Sequence, residues 1–329
     1  MAQSKYYESE KKKQISLLNN PEIFQGAKGG GKYKNHTYEH ILEDGINNLH
    51  PSIKANAIKY FSENGISWWN GSSPTGNLFS SQIACLNHLM PIMKDDQIII
   101  EILNCLQDKI KFTKVLPILS DKNPAFIGFE MVSKKDHLNE GIPSRGVNCT
   151  SIDALIYAED ENFQKWIIPI EWKYTENYSL GKSADKSIED REDTPEGNHE
   201  KGLERQKRYN TLISHSQQLK SLVEYKGSKY YFEPFYQLMR QTLWVEQMIG
   251  HKEEEDIKAD NFLHIHVVPQ KNQPLLDGKY WNKKTMKETW KEMLISPEKY
   301  ILVDPKDLLY PLKDKYPDIW KYLQIRYFD

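Results

Sequence analysis

The chain lacks any hydrophobic run near the roughly 20 residues that a membrane-spanning helix requires. Its opening, "MAQSKYYESEKKKQISLLNN", lacks the apolar stretch of a signal peptide, so the expected location is cytoplasmic, with no membrane partner. Cysteine is scarce. Cys85, Cys105 and Cys149 lie far apart with no CxxC spacing, which argues against both a disulfide framework and a zinc site. A charge excess is missing too: 44 Lys and Arg against 46 Asp and Glu leave a net charge of −2. No global field therefore draws the molecule to a polyanion, and any nucleic-acid site has to be a local basic patch.

What is present is a soluble chain of 329 residues, 39% apolar and 27% charged, long enough to bury a sizeable core. Residues 1–35 carry charge runs and the glycine cluster "GAKGGGKYKN", and read as a short helix followed by a mobile segment. Residues 36–115 read as a helical region packed on the core. "HTYEHILEDGINNL", "PSIKANAIKYFSENG" and "SSQIACLNHLMPIM" each space their apolar residues at three and four.

The pattern changes at about residue 124, and residues 116–329 read as the main α/β core with C-terminal helices. "AFIGFEMVS", "TSIDALIYAED" and "QKWIIPIEWKYT" predict three strands in a meander, and "NFLHIHVVPQ" and "KYILVD" two more. Between them, a charged stretch becomes helical near residue 200, and "EPFYQLMRQTLWVEQMIG" predicts an amphipathic helix with Phe235, Leu238, Met239, Thr242 and Ile249 on one face. The order of elements is that of an α/β protein.

Two motifs read blandly. "GAKGGGKY" approaches the phosphate-binding loop GxxxxGK[ST], but Tyr33 stands where the metal-binding hydroxyl belongs and no apolar strand precedes it, so a flexible basic loop is expected. His264 and His266 share a strand face without a third ligand of obvious type, and read as a half-buried strand pair.

The pair Asp153 and Glu171 is different. A lone carboxylate inside the apolar run "SIDALIYAED" carries a large desolvation penalty. Antiparallel pairing of the two strands can set Asp153 beside Glu171 and Lys173 on one face, with Ile168, Ile170, Trp172 and Tyr174 on the other. Two carboxylates so close repel unless a cation lies between them, and Mg2+ suits such an oxygen set. The competing reading of Glu171–Lys173 is a simple ion pair on a strand.

Asp153 followed by Glu171-Trp172-Lys173 on the next strand resembles the D…(D/E)xK signature of the PD-(D/E)xK nuclease superfamily. "FIGFEMV", "HLNEGIPSRGVNCTSIDALIYAED", "IPIEWKYTENY" and "EPFYQLMRQTLWVEQM" resemble a group of bacterial restriction-endonuclease-like proteins of mostly unassigned role. Ile152 departs from the pattern, standing where the signature has proline.

The resemblance implies an α/β fold with a restriction-endonuclease-like core, a central mixed β-sheet flanked by helices, and a helical N-terminal extension. It implies Mg2+- or Mn2+-dependent hydrolysis of phosphodiester bonds, in DNA before RNA. Asp153 and Glu171 would hold the ion, Lys173 would orient the attacking water, and Glu130 would add an acid, or else be a strand-end surface residue. Arg145, Gln237 and the Lys201/Arg205/Arg208 helix face are candidate DNA contacts, the last two competing with a solvated surface. Homodimerisation stays open. So does a second function class, a nuclease-fold module that binds nucleic acid or a protein without cutting.

Overall fold

The computed structural model describes residues 4–69, 71–118, 125–141, 149–178, 184–187, 200–221, 228–278, 280 and 283–329. Its centre is a seven-stranded mixed sheet of β3 (Phe112–Val115), β4 (Ile127–Met131), β5 (Ile152–Asp160), β6 (Lys165–Trp172), β7 (Asn261–Phe262), β8 (His264–Val267) and β9 (Tyr300–Val303). The path runs β3-β5-β6-β8-β9, with β4 added on β5 and β7 on β6. β5 pairs antiparallel with β3, β4 and β6, whereas β6–β8 and β8–β9 are parallel. The pairing sense thus changes at β6.

Before the sheet come α1 (Lys5–Leu17), α2 (Pro21–Phe24), a hairpin of β1 (Gly29–Tyr33) and β2 (His36–Leu42), then α3 (Lys54–Glu63), α4 (Ser81–Leu89) and α5 (Asp96–Cys105). α6 (Glu200–His215) and α7 (Phe235–Gly250) lie in the connection from β6 to β8, and short helices close the chain. No helix among the described residues is long and apolar enough to cross a membrane.

Alternation along β6 divides its side chains between two cores. Ile168, Ile170, Trp172 and Tyr174 join the core beneath α3–α5 and the C-terminal helices, as their spacing predicts. Ile167 joins the other, where α7 packs. α7 departs from the amphipathic expectation: besides Phe235, Leu238, Met239 and Thr242, its opposite side buries Gln241 and Trp244. A helix that buries ten of its sixteen residues, a glutamine among them, is mostly interior.

Two expectations fail in the N-terminal region. Residues 36–42, expected to be helical, form β2, because alternation along "HTYEHIL" wins over the three-and-four spacing read there. The glycine cluster, expected to be mobile, is β1 and requires glycine sterically. A Cβ on Gly29 would lie 2.1 Å from the Glu39 carbonyl oxygen, and Gly30 sits at φ +110°. Lys32 is therefore a strand residue paired with Thr37, and the run leads into β2 rather than into the helix a phosphate-binding loop needs. The extension is thus helical only in part. Strand β3 was not anticipated either.

Candidate active site

Ladder register brings the carboxylates together. β5 and β6 pair Ala154 with Ile170, so the next step along the ladder sets position 153 against 171. On the other edge of β5, Phe129 pairs with Ala154 and Met131 with Ile152, which sets Glu130 at the same level. Three adjacent strands thus present an acid at one height. Asp153 is half-buried, and its Oδ2 accepts the Trp172 backbone N–H at 2.7 Å. Glu171 and Lys173 are both almost fully buried, with Glu171 Oε1 2.5 Å from Lys173 Nζ.

Helix α7 covers this face. Gln237 Oε1 accepts from Lys173 Nζ, and Gln241 Nε2 donates to Glu171 Oε2. Gln241 Oε1 in turn meets His264 Nε2 at 2.9 Å. With Gln241 donating through Nε2 to Glu171, its Oε1 is left to accept, so His264 must carry its proton on Nε2. Beyond it, His266 Nδ1 lies 2.8 Å from the Tyr300 hydroxyl. Both histidines are fully buried rather than half-buried, and burial lowers His264 to a pKa of about 4 and takes His266 well below its ordinary value. They form a neutral wall behind Glu171.

Glu130, Asp153, Glu171, Lys173, Gln237 and Gln241 line a cleft of about 350 Å³ together with Thr150, Ser151, Glu176, Tyr178 and Arg240. Burial, then Glu171 and Glu130, push the Asp153 carboxyl well above the usual carboxylate range, against the opposing pull of Lys173. Burial alone would lower the Lys173 ammonium, but Glu171 outweighs it, with Tyr178, Glu176 and Asp153 adding, so Lys173 stays charged.

Glu130 is turned partly aside: Oε1 accepts from Gln82 Nε2 and Oε2 from Ser151 Oγ, both at 2.8 Å. Its φ of +49° is unusual for glutamate and costs on the order of 1–2 kcal/mol, which neighbouring contacts must hold in place. Among the described residues, no three His, Cys, Asp or Glu side chains are gathered to cage one metal ion. The expected set of Glu130, Asp153 and Glu171 therefore does not form a ready three-ligand cage.

A second cleft, about 550 Å³, adjoins the first. Lys201, Arg205 and Arg208 line it as their helical spacing predicts, together with Glu140, Glu204, Tyr209, Tyr236 and Arg240. Arg240 and Cys149 line both clefts. Arg145 lies outside the described residues. Sequence reasoning missed Arg240, although its place three residues after Gln237 puts it on the same side of α7. It also passed over Glu176 and Tyr178, whose positions depend on where the chain turns after β6.

The site thus sits on a mixed sheet flanked by helices, with an acid at one level of three neighbouring strands. The family model described as "Restriction Endonuclease associating with ARP" matches residues 11–328, and the chain belongs to that family. No curated protein and no solved structure matches it.

Proposed function

We propose that the chain is a divalent-metal-dependent nuclease of the PD-(D/E)xK type that hydrolyses phosphodiester bonds in DNA. The observation that carries this reading is the convergence of Asp153, Glu171 and the charged Lys173 in one cleft beside a basic one. Glu130, Asp153 and Glu171 share the cleft with Lys173 and Arg240, and burial first, then Glu171 and Glu130, push the Asp153 carboxyl upward. An oxygen-only donor set of this kind fits Mg2+ or Mn2+ and not a soft metal. Asp153 and Glu171 would hold the ion, with water completing its coordination, as Mg2+ commonly allows. When bound, it would polarise the scissile phosphate and favour deprotonation of the attacking water.

The remaining roles belong to the protein. Lys173, kept protonated by Glu171, cannot act as a general base. Its ammonium is a fixed positive charge that orients the attacking water and stabilises charge developing on the phosphate. Gln237 fixes the far side of that ammonium, and Gln241 sets the rotamer of Glu171. A carboxylate offers about four acceptor sites, so the bonds from Lys173 and Gln241 leave lone pairs on Glu171 for an ion. Glu130 contributes negative potential.

The test is cleavage of plasmid, linear and single-stranded DNA by the purified protein with Mg2+ or Mn2+. Cleavage that disappears in EDTA and in Asp153→Asn is the expected result. DNA bound but never cut would favour the non-catalytic module. Cleavage undiminished in EDTA would overturn the metal assignment.

A further inference from the structure

The second cleft is a strongly charged feature that the catalytic constellation does not use. Among the described residues its lining carries four cations, Lys201, Arg205, Arg208 and Arg240, against two anions, Glu140 and Glu204. That local excess of two positive charges sits in a protein whose net charge is −2.

The cleft is also a built feature. Tyr236 lies between two guanidinium groups, Arg205 at 5.5 Å and Arg240 at 5.3 Å from its ring centroid. Arg240 is further held by Glu140 Oε1 at 3.2 Å and Thr150 Oγ1 at 3.0 Å. Glu140 also accepts from the Tyr209 hydroxyl and the Thr150 backbone N–H, each at 2.5 Å. Glu140 is thus committed to structure, and the charge of Lys201 and Arg208 on the half-buried face of α6 faces the cleft. Among the described lining residues, Glu204 opposes it from the same helix. Because Arg240 lines both clefts, an anion held by the α6 face lies next to the Asp153 centre and not on a remote surface.

We propose that this cleft is a second phosphate subsite, holding a backbone phosphate of a polynucleotide neighbouring the one presented to Asp153 and Glu171. The proposal rests on the nuclease reading for the position of the scissile bond. It extends that reading to the substrate: a chain with at least two consecutive phosphates, gripped through its backbone and therefore without direct base readout. A free phosphate offers the same oxygens but cannot bridge the two clefts.

Binding measured in EDTA separates the two claims, because no cleavage is needed. Fluorescence anisotropy with a labelled duplex, across a salt series, would compare wild type with Lys201→Ala/Arg208→Ala, both on a half-buried helix face and outside the Tyr236 stack. Each lost phosphate contact flattens the plot of log affinity against log salt by about 0.9. The double variant should thus lose close to two counterions' worth of slope. Between about 50 and 200 mM salt, wild type should lose roughly tenfold more affinity than the variant. Circular dichroism checks that the variant is folded. An excess of inorganic phosphate should compete weakly, and full competition at equal phosphate would overturn the bridging grip. A folded variant with an unchanged slope would overturn the subsite even if the wild type cuts DNA, as would a wild type that binds no duplex. A flattened slope in a protein that never cuts would support the subsite while the nuclease reading fails.

Discussion

Replacing Lys173 by methionine separates the roles assigned to the two halves of the Glu171–Lys173 pair. At 2.5 Å and an effective dielectric of about 20, the gross attraction is about 7 kcal/mol, most of which the desolvation of two buried ions cancels. Removing one partner does not return that cancellation. It leaves Glu171, 3% exposed, with a buried charge and only Gln241 as donor, a situation that costs roughly 3–5 kcal/mol. At about 2 °C per kcal/mol for a chain of this size, the metal-free variant should melt some 6–10 °C below wild type.

The same uncompensated charge makes the variant a better host for a cation. Mg2+ or Mn2+ should therefore raise its melting temperature by more than it raises that of wild type, since ligand stabilisation grows with affinity. Cleavage should nevertheless fall by a hundredfold or more, the scale of losing one well-placed electrostatic group. Differential scanning calorimetry with and without metal, beside a plasmid nicking assay, reads all three quantities. Wild-type cleavage by Lys173→Met would refute the catalytic assignment and reduce the pair to a structural ion pair. An equal or smaller metal-induced shift in the variant would refute the claim that the ion sits on Glu171.

Asp153→Asn should do the opposite to stability, raising the melting temperature of the metal-free protein at neutral pH by removing a buried like charge while its amide oxygen still accepts from Trp172; metal-induced stabilisation and cleavage should vanish together. Gln241→Leu strips a donor from Glu171 and an acceptor from His264, so urea unfolding should show a loss of roughly 2–4 kcal/mol. Acid should destabilise the fold early. Burial holds His88 at a pKa of about 3 and His264 at about 4, with His266 also well below its ordinary value, so below about pH 6.5 the unfolded chain binds up to three protons that the native state refuses. These three histidines should then remove roughly 3–4 kcal/mol of stability between pH 6 and 5, with His50, lowered to about 4, adding to the loss and the raised carboxyls of Asp153, Glu233 and Glu246 offsetting part of it; urea midpoints unchanged or rising over that interval would contradict a net loss.

How much of this was legible in the sequence follows from how local each signal is. Alternation along "IIPIEWKYT" was enough to send Trp172 to one core and Glu171 to the other, because a strand's period of two needs no knowledge of what packs against it. The pairing of β5 with β6 was readable for the same reason, a short turn leaving few registers. The N-terminal hairpin was not. "HTYEHILEDGINNL" satisfies both periods, and the deciding fact, backbone packed against glycines of the preceding run, appears only when β1 lies alongside. Glu130 was visible as an acid ending a strand, yet its left-handed backbone and its grip on Gln82 and Ser151 depend on partners 48 and 21 residues away.

The residues that sequence reasoning undervalued, Gln241 and Arg240, share a topological cause. β6 and β8 are parallel, and parallel neighbours cannot be joined by a tight turn, so a crossover must pass over one face of the sheet. α7 is the last helix of that crossover, and it lies on the face that carries Glu171 and Lys173. Phe235, on another side of α7, stacks on Trp290, and Gln241 itself lies buried against the sheet rather than among the half-exposed Gln237, Arg240, Glu246 and Gln247. A glutamine 3% exposed between a carboxylate and an imidazole must satisfy both ends of its amide, and here it does. The change of pairing sense at β6 therefore does more than shape the sheet. It brings the amides and the guanidinium of α7 over the acids of β5 and β6, where the charge of the cleft is decided.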